Sequence, residues 1–311
     1  MNLNMVNIMH DIWNPWHGCH KISPGCKNCY MMFLDKIHQN KESTIVYKTK
    51  SFDYPLTKTK DGSYKIKSGE IIRVCMNSDF FVEEADEWRS EAWKIIDIRK
   101  DVIFMLITKR PERINDCLPK NWKDGYENVI LFVTAENQEM IDRRLPILKE
   151  LPFKHKGVMV APILESVTIE KYLKDGFIEQ VVCGGENYGG NRPCNFDWIC
   201  NLSNECKKYN ITFVFTETGN SFIKDNKLYK IPNKVIQSKM AYRSNQSFKG
   251  KEVNYILYNA YGYEIPKEEL YVPKYTSINC AECGNKMICN GCSNCGKCPQ
   301  IKSCVNIFSS K

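Results

Sequence analysis

Short runs of apolar, β-branched residues recur along the first two thirds of the chain, and each run ends in small or polar residues. Near-continuous apolar runs of this length are typical of strands that are buried on both faces of a parallel sheet. The runs occupy residues 71–76, 102–107, 129–133, 157–161, 178–183 and 211–215, with a further candidate at 6–12.

Stretches with helical spacing of their apolar residues lie between these runs, at 83–100, 137–151 and 197–209. Strands that alternate with helices favour βα units, which assemble into a parallel sheet through right-handed crossovers. The sequence therefore predicts an α/β fold with a partial or complete parallel βα barrel. We place the barrel at residues 1–220, a basic linker or extension at 221–275 and a Cys-rich, metal-binding tail at 276–311.

Hydrogen-bonding or charged residues follow six of the predicted strands. In βα barrels the active site is assembled at the carboxyl ends of the strands, so these residues form a candidate site. Helix capping is the alternative, and it explains one or two strand ends more easily than six. The segments are Asn77-Ser78-Asp79, Thr108-Lys109-Arg110, Thr134-Ala135-Glu136-Asn137, Pro162-Ile163-Leu164-Glu165, Gly184-Gly185-Glu186-Asn187 and Thr216-Glu217-Thr218-Gly219.

The net charge of +8 comes from the last third of the chain. Residues 1–220 contain 30 basic and 30 acidic side chains, whereas residues 221–311 contain 14 basic and 6 acidic ones. Such asymmetry indicates a basic appendage that faces a nucleic acid or another anionic partner. A solvated basic linker is the alternative, and metal-bound thiolates in the same segment would cancel much of its charge.

The rest of the composition bears on location and on the role of cysteine. No apolar run approaches the about 18 residues that a membrane span needs, and residues 1–10 lack the pattern of a secretory signal. We therefore expect a cytoplasmic protein without membrane contact. In a reducing cytosol, clustered cysteines with CxxC spacing are more often metal ligands than disulfides. Of the 16 cysteines, three lie in 19–29, seven in 280–304, and six are scattered.

Cys19, Cys26 and Cys29 share one short loop after the first predicted strand. Three thiolates can hold a cubane iron–sulfur cluster through three of its irons, which leaves the fourth iron for an external ligand. Structural zinc normally takes four protein ligands, so a zinc site here would need His17, His20 or a distant residue. We predict an iron–sulfur cluster at the barrel mouth, with zinc as the competing metal.

The seven cysteines near the end of the chain predict a second metal site. Residues 280–284 and 292–296 each carry a CxxC pair followed by glycine, as in paired zinc knuckles, and four thiolates satisfy tetrahedral zinc. The spacing of residues 289–298, followed by Pro299, equally suits an auxiliary iron–sulfur cluster. The candidate ligands of zinc or of this cluster are Cys280, Cys283, Cys289, Cys292, Cys295, Cys298 and Cys304.

Several of these motifs resemble the phage-associated three-cysteine-motif proteins, a radical-SAM-like family of unknown function, over about residues 7–245. The loop has six residues between its first two cysteines where the common radical-SAM loop has three, and Pro24 and Gly25 can fold the excess into a turn. The segments that carry the resemblance are Trp13-Asn14-Pro15-Trp16-His17-Gly18-Cys19, Ser23-Pro24-Gly25-Cys26-Lys27-Asn28-Cys29-Tyr30, Asn77-Ser78-Asp79-Phe80-Phe81, Thr108-Lys109-Arg110-Pro111-Glu112-Arg113, Glu136-Asn137-Gln138 and Gly184-Gly185-Glu186.

The resemblance implies a radical S-adenosylmethionine enzyme in which a [4Fe-4S] cluster binds the amino and carboxylate groups of the cosubstrate. An electron from a flavodoxin- or ferredoxin-type donor would then release methionine and a 5′-deoxyadenosyl radical, which abstracts hydrogen from the substrate. The cosubstrate-binding residues that it implies are Asn77, Ser78 and Asp79 for the methionine amino group, Glu136 and Asn137 for the ribose, Gly184 and Gly185 for adenine or substrate, and Thr108, Lys109 and Glu186 elsewhere in the pocket.

Two hypotheses follow for the function. The first is a radical-SAM-type enzyme whose substrate and catalytic residues the sequence does not identify, with Glu165 and Glu217 as further candidates for substrate contact or proton transfer. The second is a zinc-dependent nucleic-acid-binding or adaptor protein without redox chemistry, which the basic, Cys-rich tail motivates.

Overall fold

The computed structural model describes residues 11–38, 42–188 and 192–271. Most of the predicted apolar runs form strands, and the stretches with helical spacing form helices. The strands are β1 (Asp11–Trp13), β2 (Trp16–His17), β3 (Tyr47–Lys48), β4 (Ile71–Val74), β5 (Ile103–Thr108), β6 (Val129–Thr134), β7 (His155–Val160), β8 (Gln180–Gly184), β9 (Cys194–Asn195), β10 (Thr212–Glu217), β11 (Ser221–Lys224) and β12 (Lys227–Lys230). The helices are α1 (Tyr30–His38), α2 (Asp86–Ile98), α3 (Gln138–Glu150), α4 (Glu170–Lys174), α5 (Phe196–Lys208) and α6 (Lys234–Arg243).

Seven strands form one parallel sheet in the order β1-β4-β5-β6-β7-β8-β10. Each strand of this sheet therefore lies beside the sheet strand that follows it in the sequence, as expected of parallel strands joined by crossover connections. The sheet curls into a half-barrel. The predicted α/β fold with a parallel βα sheet is confirmed, and of the two alternatives the partial barrel is the one that the described residues form.

The two faces of the curled sheet have different neighbours. On the convex face, buried residues such as Phe104 and Leu106 join a large core with residues of helices α2, α3 and α5. The concave face carries a smaller apolar cluster that includes Met105, Phe132 and Val182. Gly157 makes room for the Phe132 ring on this face, because a Cβ atom at position 157 would lie 2.4 Å from that ring.

Residues 246–271 form a closing segment across the amino ends of the strands. Gly250 N donates to Thr212 Oγ1 at the start of β10 (3.1 Å), and the Tyr255 ring lies 4.5 Å from the ring of His155 at the start of β7. Leu257 is 1% exposed and belongs to the concave apolar cluster. Tyr271 N then donates to the carbonyl of Ser68, just before β4 (2.7 Å). The segment thus runs from the last strand of the sheet towards its first strands.

Residues 221–271, which the sequence analysis placed in a basic linker or extension, contain β11, β12, α6 and the closing segment. None of the helices in the described part of the chain is long and apolar enough to cross a membrane. The predicted metal-binding tail, residues 276–311, lies outside the described residues. Its candidate ligands there are Cys280, Cys283, Cys289, Cys292, Cys295, Cys298 and Cys304.

We expect Leu257→Ala to destabilise the protein, because the substitution leaves a cavity where the closing segment meets the concave face. Buried Leu→Ala changes cost about 2–5 kcal/mol, and urea denaturation followed by circular dichroism measures this loss. Leu228→Ala, at a side chain that is 55% exposed, is the matched control and should change the free energy of unfolding by at most about 0.5 kcal/mol. Equal effects of the two substitutions would contradict the packing described for the closing segment.

Candidate functional site

The three-cysteine loop connects the first strands to α1, at the carboxyl end of the sheet. Cys19, Cys26 and Cys29 are all half-buried and none of them forms a disulfide. The loop begins at Gly18, whose φ of +97° and whose contact with Ile45 exclude a side chain, since a Cβ atom would lie 2.3 Å from the Ile45 carbonyl oxygen. The predicted location of these cysteines at the mouth of a βα sheet agrees with the structure.

Asn77 and Ser78, which follow β4, fix the start of this loop. Gly18 N donates to the Asn77 carbonyl (3.1 Å), and the Ser78 hydroxyl donates to the carbonyl of Gly18. The backbone N–H of Asn77 itself donates to Asn14 Oδ1 (3.1 Å), at the end of β1. These two candidate site residues therefore connect the loop to the first two strands of the sheet.

Asp79 joins the ends of β4 and β5. Its buried carboxylate accepts hydrogen bonds from Thr108 Oγ1 (2.7 Å) and from the backbone N–H of Lys109 (2.9 Å). The same carboxylate lies 3.2 Å from Arg110 Nη1. Asp79 in this structure orients Thr108 and Arg110, and its contact with the amino group of a cosubstrate stays a prediction.

Arg110 reaches from the end of β5 to the first cysteine. Its side chain is almost fully buried, Nη1 lies 3.6 Å from Cys19 Sγ, and Nη2 donates to the His20 carbonyl (3.3 Å). Burial raises the pKa of the Cys19 thiol to about 11, the Asp79 charge acts in the same direction, and the Arg110 charge and hydrogen bond oppose both. Arg110 thus supplies a hydrogen bond and a positive charge to the sulfur of Cys19.

Glu136, at the end of β6, holds the middle of the loop. It is completely buried, its Oε1 accepts from Gly25 N (2.7 Å), and its Oε2 lies 3.0 Å from Arg144 Nη1. Burial raises the pKa of this carboxyl, but hydrogen bonds from Ser23 and Gly25 and the nearby positive charges outweigh burial and lower the pKa overall. The loop approaches so closely that a Cβ atom on Gly25 would lie 2.9 Å from Glu136 Cδ.

Glu186, after β8, holds the other side of the same loop. Its Oε2 accepts from Asn28 Nδ2 (2.8 Å), and the carboxylate also pairs with Arg192, whose Nη1 donates to the Pro24 carbonyl (3.0 Å). Burial raises the pKa of Glu186. The hydrogen bonds and charge of Arg192 and the hydrogen bond of Asn28 outweigh burial, so the pKa is lowered overall. Glu136 and Glu186 thus act as two anionic clamps on the three-cysteine loop.

Lys109 lies close to the second cysteine. Burial raises the pKa of Cys26, but the Lys109 charge and hydrogen bonds from Ile22 and Ser23 outweigh it, so the pKa is lowered overall. Lys109 also helps to lower the pKa of Glu136. Its Nζ forms no ion pair or hydrogen bond with any described residue, so its charge is available to an anionic ligand as well as to the thiolate.

Arg73 is a site residue that the sequence analysis missed. It lies on β4 in register with Met105, a residue of the concave face, so its side chain is on the inside of the half-barrel. Within the described chain its buried Nε has no hydrogen-bond partner, and neither has the buried Oγ1 of Thr134 on β6. A charged residue inside the apolar run Ile71-Ile72-Arg73-Val74 was the available signal.

Glu217 lies across the concave face from Arg73, at the end of β10. Burial raises the pKa of Glu217 overall. Lys234, a hydrogen bond from Asn187 (2.6 Å) and the Arg73 charge act in the opposite direction but are weaker. Tyr30, next to Cys29, lies near both charges, and burial raises its pKa as well. The first strands and the last strand of the sheet therefore meet in one polar cluster below the loop.

The remaining predicted site residues have local structural roles. Asn137 caps helix α3 by accepting from Met140 N (3.0 Å), as in the capping alternative, and exposed Glu165 accepts from Gln138 N (2.8 Å). A Cβ atom on Gly184 would lie 2.8 Å from Thr216 Oγ1, and one on Gly185 would lie 2.2 Å from the Thr218 carbonyl oxygen. These glycines allow β8 and β10 to approach each other, and contact of any of these residues with a cosubstrate stays a prediction.

Thiolate is the ligand type of iron–sulfur clusters, and the loop carries three cysteines that form no disulfide. Among the described residues, no group of three or more His, Cys, Asp or Glu side chains is arranged to hold a single metal ion. A cubane bonds each thiolate to a different iron, so its ligands need not converge on one point. Three cysteines on one clamped loop, with Lys109 and Arg110 beside two of them, offer such a donor set and cations that favour thiolates.

Comparison with known proteins gives one match. The model of a family described as "Protein of unknown function (DUF5131)" matches residues 4–261, which include the loop, the strand ends and most of the closing segment. No curated protein and no solved structure matches the chain.

We expect Glu136→Gln and Glu186→Gln each to release the three-cysteine loop. A hydrogen bond to a charged group contributes about 1.5–3 kcal/mol, so local opening should become at least about tenfold more frequent. Hydrogen exchange of a peptide that spans residues 18–30 measures this opening. Glu165→Gln removes an exposed strand-end carboxylate outside the loop and should leave the exchange unchanged.

The same clamps predict a pH dependence. The pKa values of both carboxyls are lowered in the folded protein, so their contribution is complete above the ordinary value of 4.5 and is lost as the pH falls through the folded value. Protection of the loop, corrected for the intrinsic exchange rate, should therefore decrease on acidification in the wild type and change less in the two Gln variants. Equal pH dependence in all three proteins would refute the two-clamp description.

Proposed function

We propose that this chain, which belongs to the DUF5131 family of proteins of unknown function, is a radical S-adenosylmethionine-type enzyme. The observation that carries the proposal is the place of the three cysteines. They lie on one loop after the first strand of a parallel half-barrel, and side chains from the ends of β5, β6 and β8 hold that loop over a partly polar concave face.

Cys19, Cys26 and Cys29 would hold a [4Fe-4S] cluster, because three thiolates leave one iron open for a cosubstrate. When bound and reduced, such a cluster supplies the electron that divides S-adenosylmethionine into methionine and a 5′-deoxyadenosyl radical, which takes a hydrogen atom from the substrate. The six residues between the first two cysteines form the segment that Glu136 and Arg192 hold, at Gly25 and Pro24.

The chain's own residues provide charge, orientation and exclusion of water. Lys109 helps to lower the pKa of Cys26. At Cys19, Arg110 opposes burial and the Asp79 charge, which raise the pKa overall. Arg73 Nε and Thr134 Oγ1 are buried hydrogen-bonding groups without a partner in the described chain, and such groups are costly unless a ligand or water satisfies them. They therefore suit the polar groups of a bound cosubstrate or substrate. Below them, the apolar cluster and the closing segment exclude water from the amino end of the concave face.

The competing hypothesis of a zinc-dependent binding protein without redox chemistry rests on tail cysteines that lie outside the described residues. Both hypotheses allow a metal in the tail. They differ at the three-cysteine loop, where only the enzyme needs iron and acid-labile sulfide. Iron and sulfide bound by this loop therefore distinguish the two hypotheses.

We expect anaerobically reconstituted protein to contain iron and sulfide, to absorb broadly near ~400 nm as thiolate-held iron–sulfur clusters do, and to form 5′-deoxyadenosine from S-adenosylmethionine and a strong reductant. Cys26→Ala should abolish product formation and remove the iron bound by the loop, with the tail metal retained. Chromatography of the nucleoside and metal analysis measure both results.

Cys200→Ala is the matched control, because Cys200 is also half-buried but lies on helix α5, outside the loop. It should retain the iron content and 5′-deoxyadenosine formation of the wild type. A reconstituted protein that holds zinc alone and leaves the cosubstrate intact would disprove the enzyme proposal and favour the zinc hypothesis.

Arg110 should set the reduction potential of the cluster. Hydrogen bonds to the sulfurs and nearby positive charge stabilise the more negative, reduced state and so raise the potential. Arg110→Lys, which loses the paired hydrogen bonds to Cys19 Sγ and the His20 carbonyl, should therefore lower the potential in a redox titration followed by electron paramagnetic resonance. Arg113→Lys, whose partners include Glu83 and Asp86, should leave it near the wild-type value, and equal potentials in all three proteins would contradict this role.

A further inference from the structure

An aromatic and basic surface, which we call the rim, borders the mouth of the half-barrel. It consists of Tyr30, Phe33, Tyr188, Lys230 and Lys234. The Tyr188 ring centre lies 6.3 Å from that of Tyr30 and 6.0 Å from that of Phe33, with the planes tilted by about 30–40° in both pairs. Lys234 Nζ lies 5.1 Å from the Tyr188 ring centre. Phe33 is 36% exposed on α1, so this aromatic cluster reaches the surface.

The rim is continuous with the polar cluster of the concave face. Lys234 Nζ lies 3.8 Å from Glu217 Oε2, and Asn187, next to Tyr188 in the chain, donates to Glu217 Oε1 (2.6 Å). The Tyr30 hydroxyl donates to the carbonyl of Met76, just after β4. Lys234 and Asn187 thus connect the rim to Glu217 of the polar cluster.

The basic residues of the stretch 224–251 lie in different places in the structure. Lys230 and Lys234 are both exposed. Lys230 Nζ donates to Ser221 Oγ (2.8 Å), next to Asn220, whose side chain donates to the Tyr188 carbonyl. Lys239 is buried. Lys249 and Lys251 are exposed at the opposite end of the sheet, where Lys251 N donates to the Asn210 carbonyl before β10 (2.8 Å). Only part of the stretch can therefore act together with the aromatic residues.

Aromatic rings interleaved with lysines suit one class of ligand better than others. Every nucleobase has a flat face that stacks on an aromatic side chain, and the sugar–phosphate backbone places negative charges next to each base. An acidic peptide offers charge to Lys230 and Lys234 but no flat face to Tyr188 and Phe33. In a duplex the faces of the bases are already stacked on each other, so the rings of the rim require an unpaired base.

We propose that the rim binds single-stranded nucleic acid. A base stacks on Tyr188 and Phe33, the flanking phosphates pair with Lys230 and Lys234, and polar atoms of the stacked nucleotide face Asn187, Glu217 and Arg73. The binding site stands on the rim alone. That the bound nucleotide is the substrate of the hydrogen abstraction rests on the proposed function.

The test is fluorescence anisotropy of the full-length protein with a labelled, single-stranded thymidine or uridine oligonucleotide of about 12 nucleotides, a length within the range of known single-strand sites. Saturable binding is expected, with an affinity that falls as salt is raised. Tyr188→Ala should weaken binding about tenfold or more, and Tyr188→Phe should retain it because the stacking face remains.

Lys234→Gln changes an exposed side chain at the start of α6, so the variant is expected to fold like the wild type. It should weaken binding and reduce the slope of log K against log salt by about 0.7, the value for one lost phosphate contact on a single strand. Lys249→Gln is the matched control from the same basic stretch and should change neither quantity. Preserved binding in both Lys234→Gln and Tyr188→Ala would overturn the rim as the site.

Five other outcomes also decide the question. No binding at low salt, or equal losses in Lys234→Gln and Lys249→Gln, overturns the proposal. Tighter binding of a poly-glutamate peptide than of the oligonucleotide assigns the rim to an acidic protein partner instead. Because binding is measured without the cosubstrate, 5′-deoxyadenosine formation without oligonucleotide binding refutes the ligand class alone. Binding without 5′-deoxyadenosine formation supports the rim and refutes the enzyme proposal.

Discussion

Two buried carboxylates hold the three-cysteine loop on the sheet, and the arrangement of the site depends on them. Glu136 and Glu186 end different strands, yet both accept hydrogen bonds from the same loop. A buried carboxylate is stable only when donors or cations replace water. The loop supplies the donors, and Arg144 and Arg192 supply the charges. If the loop opens, these two carboxylates lose their donors, so the folded loop and the buried carboxylates stabilise each other.

Two positively charged side chains near the loop lack an acidic partner among the described residues, and this suits anionic ligands. The described residues pair three buried acids of the site with arginines: Asp79 with Arg110, Glu136 with Arg144, and Glu186 with Arg192. Lys109 and the buried Nε of Arg73 have no such partner within the same set of residues. Positive charge therefore remains beside the thiols and on the concave face. Thiolates, an anionic cosubstrate group or a phosphate would each be stabilised there.

The sequence predicted the α/β class and the strands well, because a strand that is buried on both faces needs a nearly continuous apolar run. It also predicted a candidate site at the carboxyl ends of the strands, and in the structure Arg110, Glu136 and Glu186 contact the cysteine loop there. It did not predict what they contact. Gly25 and Glu136 are 111 positions apart, and no local pattern specifies such a contact. Arg73 was not predicted as a site residue, because it lies inside β4 and the candidate site comprised only residues that follow the strands.

The closing segment makes the two ends of the half-barrel different. Its contacts cover the amino ends of β4, β7 and β10, whereas the carboxyl ends carry the loop and the rim. The apolar cluster with Leu257 lies between the two ends and leaves Arg73 and Glu217 on the side of the loop. A nucleotide bound at the rim, as proposed above, would approach these charges from the carboxyl end of the strands. The closing segment and the proposed binding surface of the rim therefore lie at opposite ends of the sheet.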